Sequence, residues 1–159
     1  MKKTAVLLTI VAAAGLMAVM FSACSRAKPS QGKEIVWGDF KNGATFARKN
    51  NLPMMIHFTA TWSPGCKRLE KEVYGAPDVI RLSQDFVCVK VDGDKEKELV
   101  ERYGITGYPT IVFTNSKAET VHRIGEFVPP DVFLAQMKAA LQKLGGAEAA
   151  DKRDSKKTK

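Results

Sequence analysis

Apolar residues in this chain fall into short runs and spaced stripes separated by polar clusters. Trp37, Phe40, Ala44 and Ala47 recur at helical spacing, and Leu52-Pro53 closes that helix. Met54 to Phe58 is a short apolar run, the pattern of a strand covered on both faces. Ser63-Pro64 then opens a second helix, with Ser as N-cap and Pro at the first helical position. Cys66, Leu69 and Val73 form its inward stripe. Pro77 to Leu82 predicts a further turn or two of helix, and Phe86 to Val91 a second apolar strand. Lys95 to Tyr103 predicts a helix with Leu99, Val100 and Tyr103 inward, stopped at Gly104. Pro109 to Thr114 and Thr120 to Ile124 predict two strands joined through Asn115-Ser116-Lys117-Ala118. Pro130 to Leu144 predicts a last helix with Phe133, Met137, Ala140, Leu141 and Leu144 on one face, ended by Gly145-Gly146.

The order helix, strand, helix, strand, helix, strand, strand, helix predicts an α/β mixed sheet with helices on both faces. Strands joined through helices should run parallel with right-handed crossovers, and the last pair should form a hairpin. The foldable stretch, residues 33–144, is long enough for one such core without covalent staples.

Charge refines this picture without redirecting it. The chain of 159 residues carries 25 Lys+Arg against 17 Asp+Glu, a net charge of +8. Half of that excess sits in residues 1–32, which hold four bases and no acid. Residues 33–146 hold 16 bases and 14 acids, mixed along the sequence. A nucleic-acid footprint needs clustered cations on the folded surface, and no basic stripe interleaved with aromatics occurs. No nucleic-acid partner is expected.

The two ends have their own signatures. Lys2 and Lys3 precede an apolar run from Ala5 to Phe21, followed by Ser22-Ala23-Cys24. A positive start, an apolar middle and a small-residue exit describe an export signal over residues 1–23. Its end resembles the lipobox of bacterial lipoproteins, which implies a lipid on Cys24 and a place in the cell envelope facing the periplasm. Phe21 departs from that pattern, where Leu is usual. An ordinary signal cut after Ser25 and an uncleaved anchor remain open, and all three imply export. Residues 24–34 read as a tether before a domain spanning 35–144. Residues 145–159 lack apolar periodicity and read as a disordered basic tail.

Three motifs carry the chemistry. Phe58-Thr59-Ala60-Thr61-Trp62-Ser63-Pro64-Gly65-Cys66-Lys67 resembles the active-site segment of thioredoxins, Phe-x-Ala-x-Trp-Cys-x-x-Cys-Lys. Tyr103 to Thr110 resembles the thioredoxin cis-proline loop, and Val89-Lys90-Val91-Asp92 the strand between them. Lys67 to Tyr74 resembles the periplasmic thioredoxin-like domain of the transmembrane thiol:disulfide interchange reductase. The resemblance covers roughly 35–144 and implies the thioredoxin fold, with a mixed sheet of four to five strands. It also implies a cis bond at Pro109, an edge at Tyr108-Pro109 that pairs with extended peptides, and an apolar patch of Trp62, Pro64, Tyr108 and Pro109.

Ser63 departs from the family. It stands where the first active-site Cys would attack a substrate disulfide as a thiolate. A hydroxyl has no comparable nucleophilicity at neutral pH and forms no disulfide, so ordinary dithiol exchange should not occur. Ser63 can instead cap the helix. Cys66 is left as a candidate lone redox thiol or as an inert, half-buried one. Peroxiredoxins place Thr or Ser three residues before their reactive Cys, as Ser63 and Cys66 do, yet Thr59 stands where they have Pro.

His57 occupies the position of the buried family carboxylate that relays protons to the second Cys. It is a candidate proton relay to Cys66 or a hydrogen-bonded core histidine. Cys88 reads as a small buried hydrophobe, with a Cys66–Cys88 disulfide as the alternative. His122 on the hairpin reads as exposed. No zinc spacing appears, and no cofactor or metal is called for. Two functions remain. One is an exported monothiol protein of thiol/disulfide homeostasis, acting through Cys66 on protein thiols or disulfides. The other is a non-catalytic binding or chaperone module that holds extended segments on the Tyr108–Pro109 edge.

Overall fold

A computed structural model describes residues 32–157. The expected export signal, Cys24 and the tether up to residue 31 lie outside them. The first helix, α1 (Phe40–Asn50), starts at Asp39, whose carboxylate accepts the Asn42 N–H at 2.9 Å. Trp37, read as part of that helix, precedes the cap and packs on the opposite side of the sheet from Phe40 and Ala44.

Four strands build the sheet: β1 (Met54–Thr59), β2 (Val87–Asp92), β3 (Thr110–Thr114) and β4 (Thr120–Ile124). Their order is β2-β1-β3-β4, with an isolated parallel bridge from Gly38 to Val89 beyond β2. The thioredoxin fold read from the sequence is the fold observed. Strand β1 is central and almost wholly buried, which explains its unbroken apolar run.

Helices cover both faces. Met54, Ile56 and Phe58 pack against α1 and α4 (Lys97–Arg102). Met55 faces the other layer, made by α2 (Pro64–Arg68), a π-helical turn (Leu69–Val73), α3 (Pro77–Ser83) and α5 (Pro130–Lys157).

Two expectations need correction. Strand β2 runs parallel to β1, but β3 runs antiparallel to it, although a helix joins β2 to β3. The six residues of α4 span about 9 Å at 1.5 Å per residue. A six-residue strand spans about 20 Å, so α4 does not carry the chain back to the end where β2 began. The last helix also runs through Gly145-Gly146 to Lys157, where the sequence reading ended it and expected a disordered tail. Glycine weakens a helix without removing its N–H, and the Ala and Glu residues that follow favour helix. Among the described residues no helix is long and apolar enough to cross a membrane.

Candidate functional site

The site lies where β1 ends and α2 begins. Ser63 is the N-cap of α2, with extended backbone at φ −77 and ψ 118. Its Oγ accepts the Cys66 N–H at 3.4 Å and donates to the Tyr108 carbonyl at 2.9 Å. The hydroxyl therefore ties the turn both to its own helix and to the loop opposite. Pro64 sits at the first helical position. Ser63 and Cys66 are each only 2% exposed.

The loop opposite is held just as closely. The Tyr108–Pro109 bond is cis. A Cβ on Gly65 would lie 2.7 Å from Pro109 Cδ, so only glycine permits this approach. Gly93 similarly leaves room for the Tyr108 ring. Trp62 is 63% exposed, donates from Nε1 to Asp94 at 3.0 Å and meets Tyr108 edge-on at 5.8 Å. Trp62 and Pro64 are thus at the surface, Tyr108 is half-buried and Pro109 is buried. The apolar patch consists mainly of the first three.

His57 lies fully buried on β1, on the same side of the sheet as Met55. Its ring contacts Trp37 at 5.9 Å and Tyr74 at 5.3 Å between centroids. Among the described residues neither ring nitrogen has a hydrogen-bond partner, which contradicts the expectation of a bonded core histidine. Burial first, and the nearby Lys90 ammonium second, hold its pKa down at about 3. No hydrogen bond joins His57 to Cys66.

Tyr74 was not singled out from the sequence. Its hydroxyl is buried and also lacks a partner. Burial pushes this phenol well above its ordinary pKa, and the negative charges that Cys66, Cys88 and Glu70 carry when ionised push it further. The π turn brings it there. The Tyr74 N–H bonds to the Leu69 carbonyl five residues back, so Val73 and Tyr74 are both buried. Two adjacent apolar residues at the end of a helical stripe were the available signal.

Cys66 and Cys88 are free thiols, so the alternative of a disulfide between them does not hold. Cys88 donates to the Ser83 carbonyl at 3.4 Å, and burial pushes its pKa up to about 12. His122, expected to be exposed, is half-buried between Gln136 and Lys143. Among the described residues no cluster of three or more His, Cys, Asp or Glu side chains could hold a metal ion.

These features can be set beside known proteins. A family profile described as a thioredoxin-like domain matches residues 40–141. The chain belongs to that family. The thioredoxin-like domain is 33% identical over 101 residues to protein disulfide isomerase-like 5-2 of Oryza sativa subsp. japonica, covering 56% of this chain and 24% of that protein. It is 29% identical over 101 residues to the thiol:disulfide interchange protein DsbD of Haemophilus influenzae, covering 60% of this chain and 17% of that one. The chain thus spans less than a quarter of the length of either protein. Among solved structures, a thioredoxin from Thermus thermophilus superposes with a TM-score of 0.65 at 26% identity, covering 72% of this chain and 93% of that one.

Proposed function

We propose that this thioredoxin-like protein serves thiol/disulfide homeostasis in the cell envelope through Cys66 alone, without dithiol exchange. The observation that carries the reading is the Ser63–Cys66 turn. It keeps the helix cap and the contact to the cis-proline loop while holding a single sulfur. Relatives named as disulfide isomerases and interchange proteins support the thiol class. The lipobox-like ending at Cys24 supports export and a lipid anchor, with the domain facing the periplasm. Its partners are protein thiols or disulfides, not nucleic acid.

Reduction of insulin disulfides tests the Ser63 part of the reading. The wild-type chain should give no turnover above background, and Ser63→Cys should give measurable turnover. Substantial wild-type turnover would sink the reading.

A second reading rests on Trp62, Pro64 and Tyr108. Their partly exposed apolar surface suits an extended peptide lying along the loop, and such binding requires no chemistry at Cys66. Under that reading Cys66→Ala retains function in cells, whereas under the first it abolishes it.

A further inference from the structure

The chain enters and leaves the packed domain at one end of the sheet. Met54 of β1 pairs with Val87 of β2 and with Thr114 of β3, which puts the starts of β1 and β2 and the end of β3 together. Gly32, the first described residue, sits there, because a Cβ on it would lie 3.2 Å from Nε2 of Gln84, just ahead of β2. Gly145 of α5 sits there too. It shares a cleft with Asn51 and Pro53 ahead of β1, Asp85 ahead of β2, and Asn115 and Ser116 after β3. Ser63 and Cys66 follow the other end of β1, about 20 Å away for a six-residue strand.

From Gly145 the last helix runs on past that end. Among the described side chains the buried stripe of α5 closes at Leu144. The helix continues to Lys157, which adds about 20 Å at 1.5 Å per residue. Beyond Gly146 the sequence holds five bases, all from Lys152 onward, and three acids, the last at Asp154. The extension therefore becomes basic toward its tip. Cys24 stands eight residues before Gly32, a reach of at most about 29 Å. A lipid on Cys24 would keep the membrane surface within that distance of the end from which α5 emerges. The length of the extension and the reach of the tether thus match closely enough for the basic tip to meet the head groups.

We propose that the tip of α5 rests on the anionic lipid surface that carries the Cys24 anchor and holds the Ser63–Cys66 turn facing away from it. This rests on the reading of Cys24 as a lipid attachment site. The anchor alone limits the distance of the domain from the membrane but not its tilt. A second contact, between clustered Lys and Arg and anionic head groups, fixes the tilt. With α5 pointing at the membrane, the Cys66 turn stands about 40 Å above it, the helix extension and the sheet contributing about 20 Å each. Cys66 then meets thiols and disulfides presented from the aqueous side, not those embedded in the anchoring membrane.

The test uses the full lipidated chain on vesicles of phosphatidylethanolamine with phosphatidylglycerol, or of phosphatidylcholine alone. A water-soluble amine-acylating reagent is added, and each lysine is read by mass spectrometry. Lys152, Lys156 and Lys157 should react roughly fivefold more slowly on the anionic vesicles than on the zwitterionic ones. Lys67, exposed beside Cys66, should react equally on both. The double variant Lys156→Gln, Lys157→Gln should return Lys152 to the rate seen on the zwitterionic vesicles. Equal rates for the tip lysines on both lipids would overturn the basic contact and leave the anchor standing. Protection of Lys67 would overturn the orientation. A chain that floats with neither vesicle would overturn the anchor on Cys24, and this proposal with it.

Discussion

The Ser63 hydroxyl makes two hydrogen bonds, one donated to Tyr108 and one accepted from Cys66, so an oxygen does the structural work of the turn. His57 illustrates a different cost of side-chain chemistry. Its folded pKa lies at about 3, below the ordinary value of 6.5. Lys90 from β2 opposes its protonation, and the aromatic faces of Trp37 and Tyr74 supply no hydrogen-bond partner. Glu70, from the π turn, is paired with Lys90. Below pH 6.5 the unfolded chain takes up a proton that the folded chain refuses, so stability falls with pH until about pH 3. Between pH 7 and pH 5 this should cost about 2 kcal/mol. Urea midpoints at the two pH values should show that loss in wild type and a smaller one in His57→Leu. An equal loss in both would remove His57 as the cause. The importance of Ser63 and Cys66 was legible from the motif alone. Tyr74 was not, because its place beside His57 depends on a π turn that α-helical spacing does not reveal.

Helix α1 meets the sheet at Gly43, where a Cβ would overlap Val89 Cγ1 of β2. Val89 is fully buried and has nowhere to move. Alanine would gain about 1 kcal/mol of helix propensity at most and incur about 1–3 kcal/mol of overpacking. Gly43→Ala should therefore lower the denaturation midpoint. Gly75→Ala, with open space around its Cβ, should stay within about 0.5 kcal/mol of wild type. A neutral Gly43→Ala would mean that α1 can shift on the sheet. Element types were readable because β1 is buried on both faces and the helices have one apolar stripe each. Strand direction was less readable, since it depends on the length of α4 and on which side of β1 each strand joins. The end of α5 was misread because Gly145-Gly146 signals a stop only where the backbone turns left-handed, and neither glycine does so.

Across the whole molecule, the near-neutral charge of residues 33–146 leaves the basic excess at the two ends. If Cys24 carries a lipid, the protein should fractionate with membranes, and Cys24→Ser should move it to the soluble fraction. Retention of the variant on membranes would favour an uncleaved anchor. The proposed role depends above all on Cys66 being a lone reactive sulfur inside an otherwise intact thioredoxin-like domain. The direct measurement is mass spectrometry of the full chain trapped in cells under mild oxidation, with each cysteine read separately. Cys66 should carry a sulfenic acid or a mixed disulfide while Cys88, held at a pKa of about 12, stays a thiol. A Cys66 that remains an unmodified thiol throughout would contradict the account.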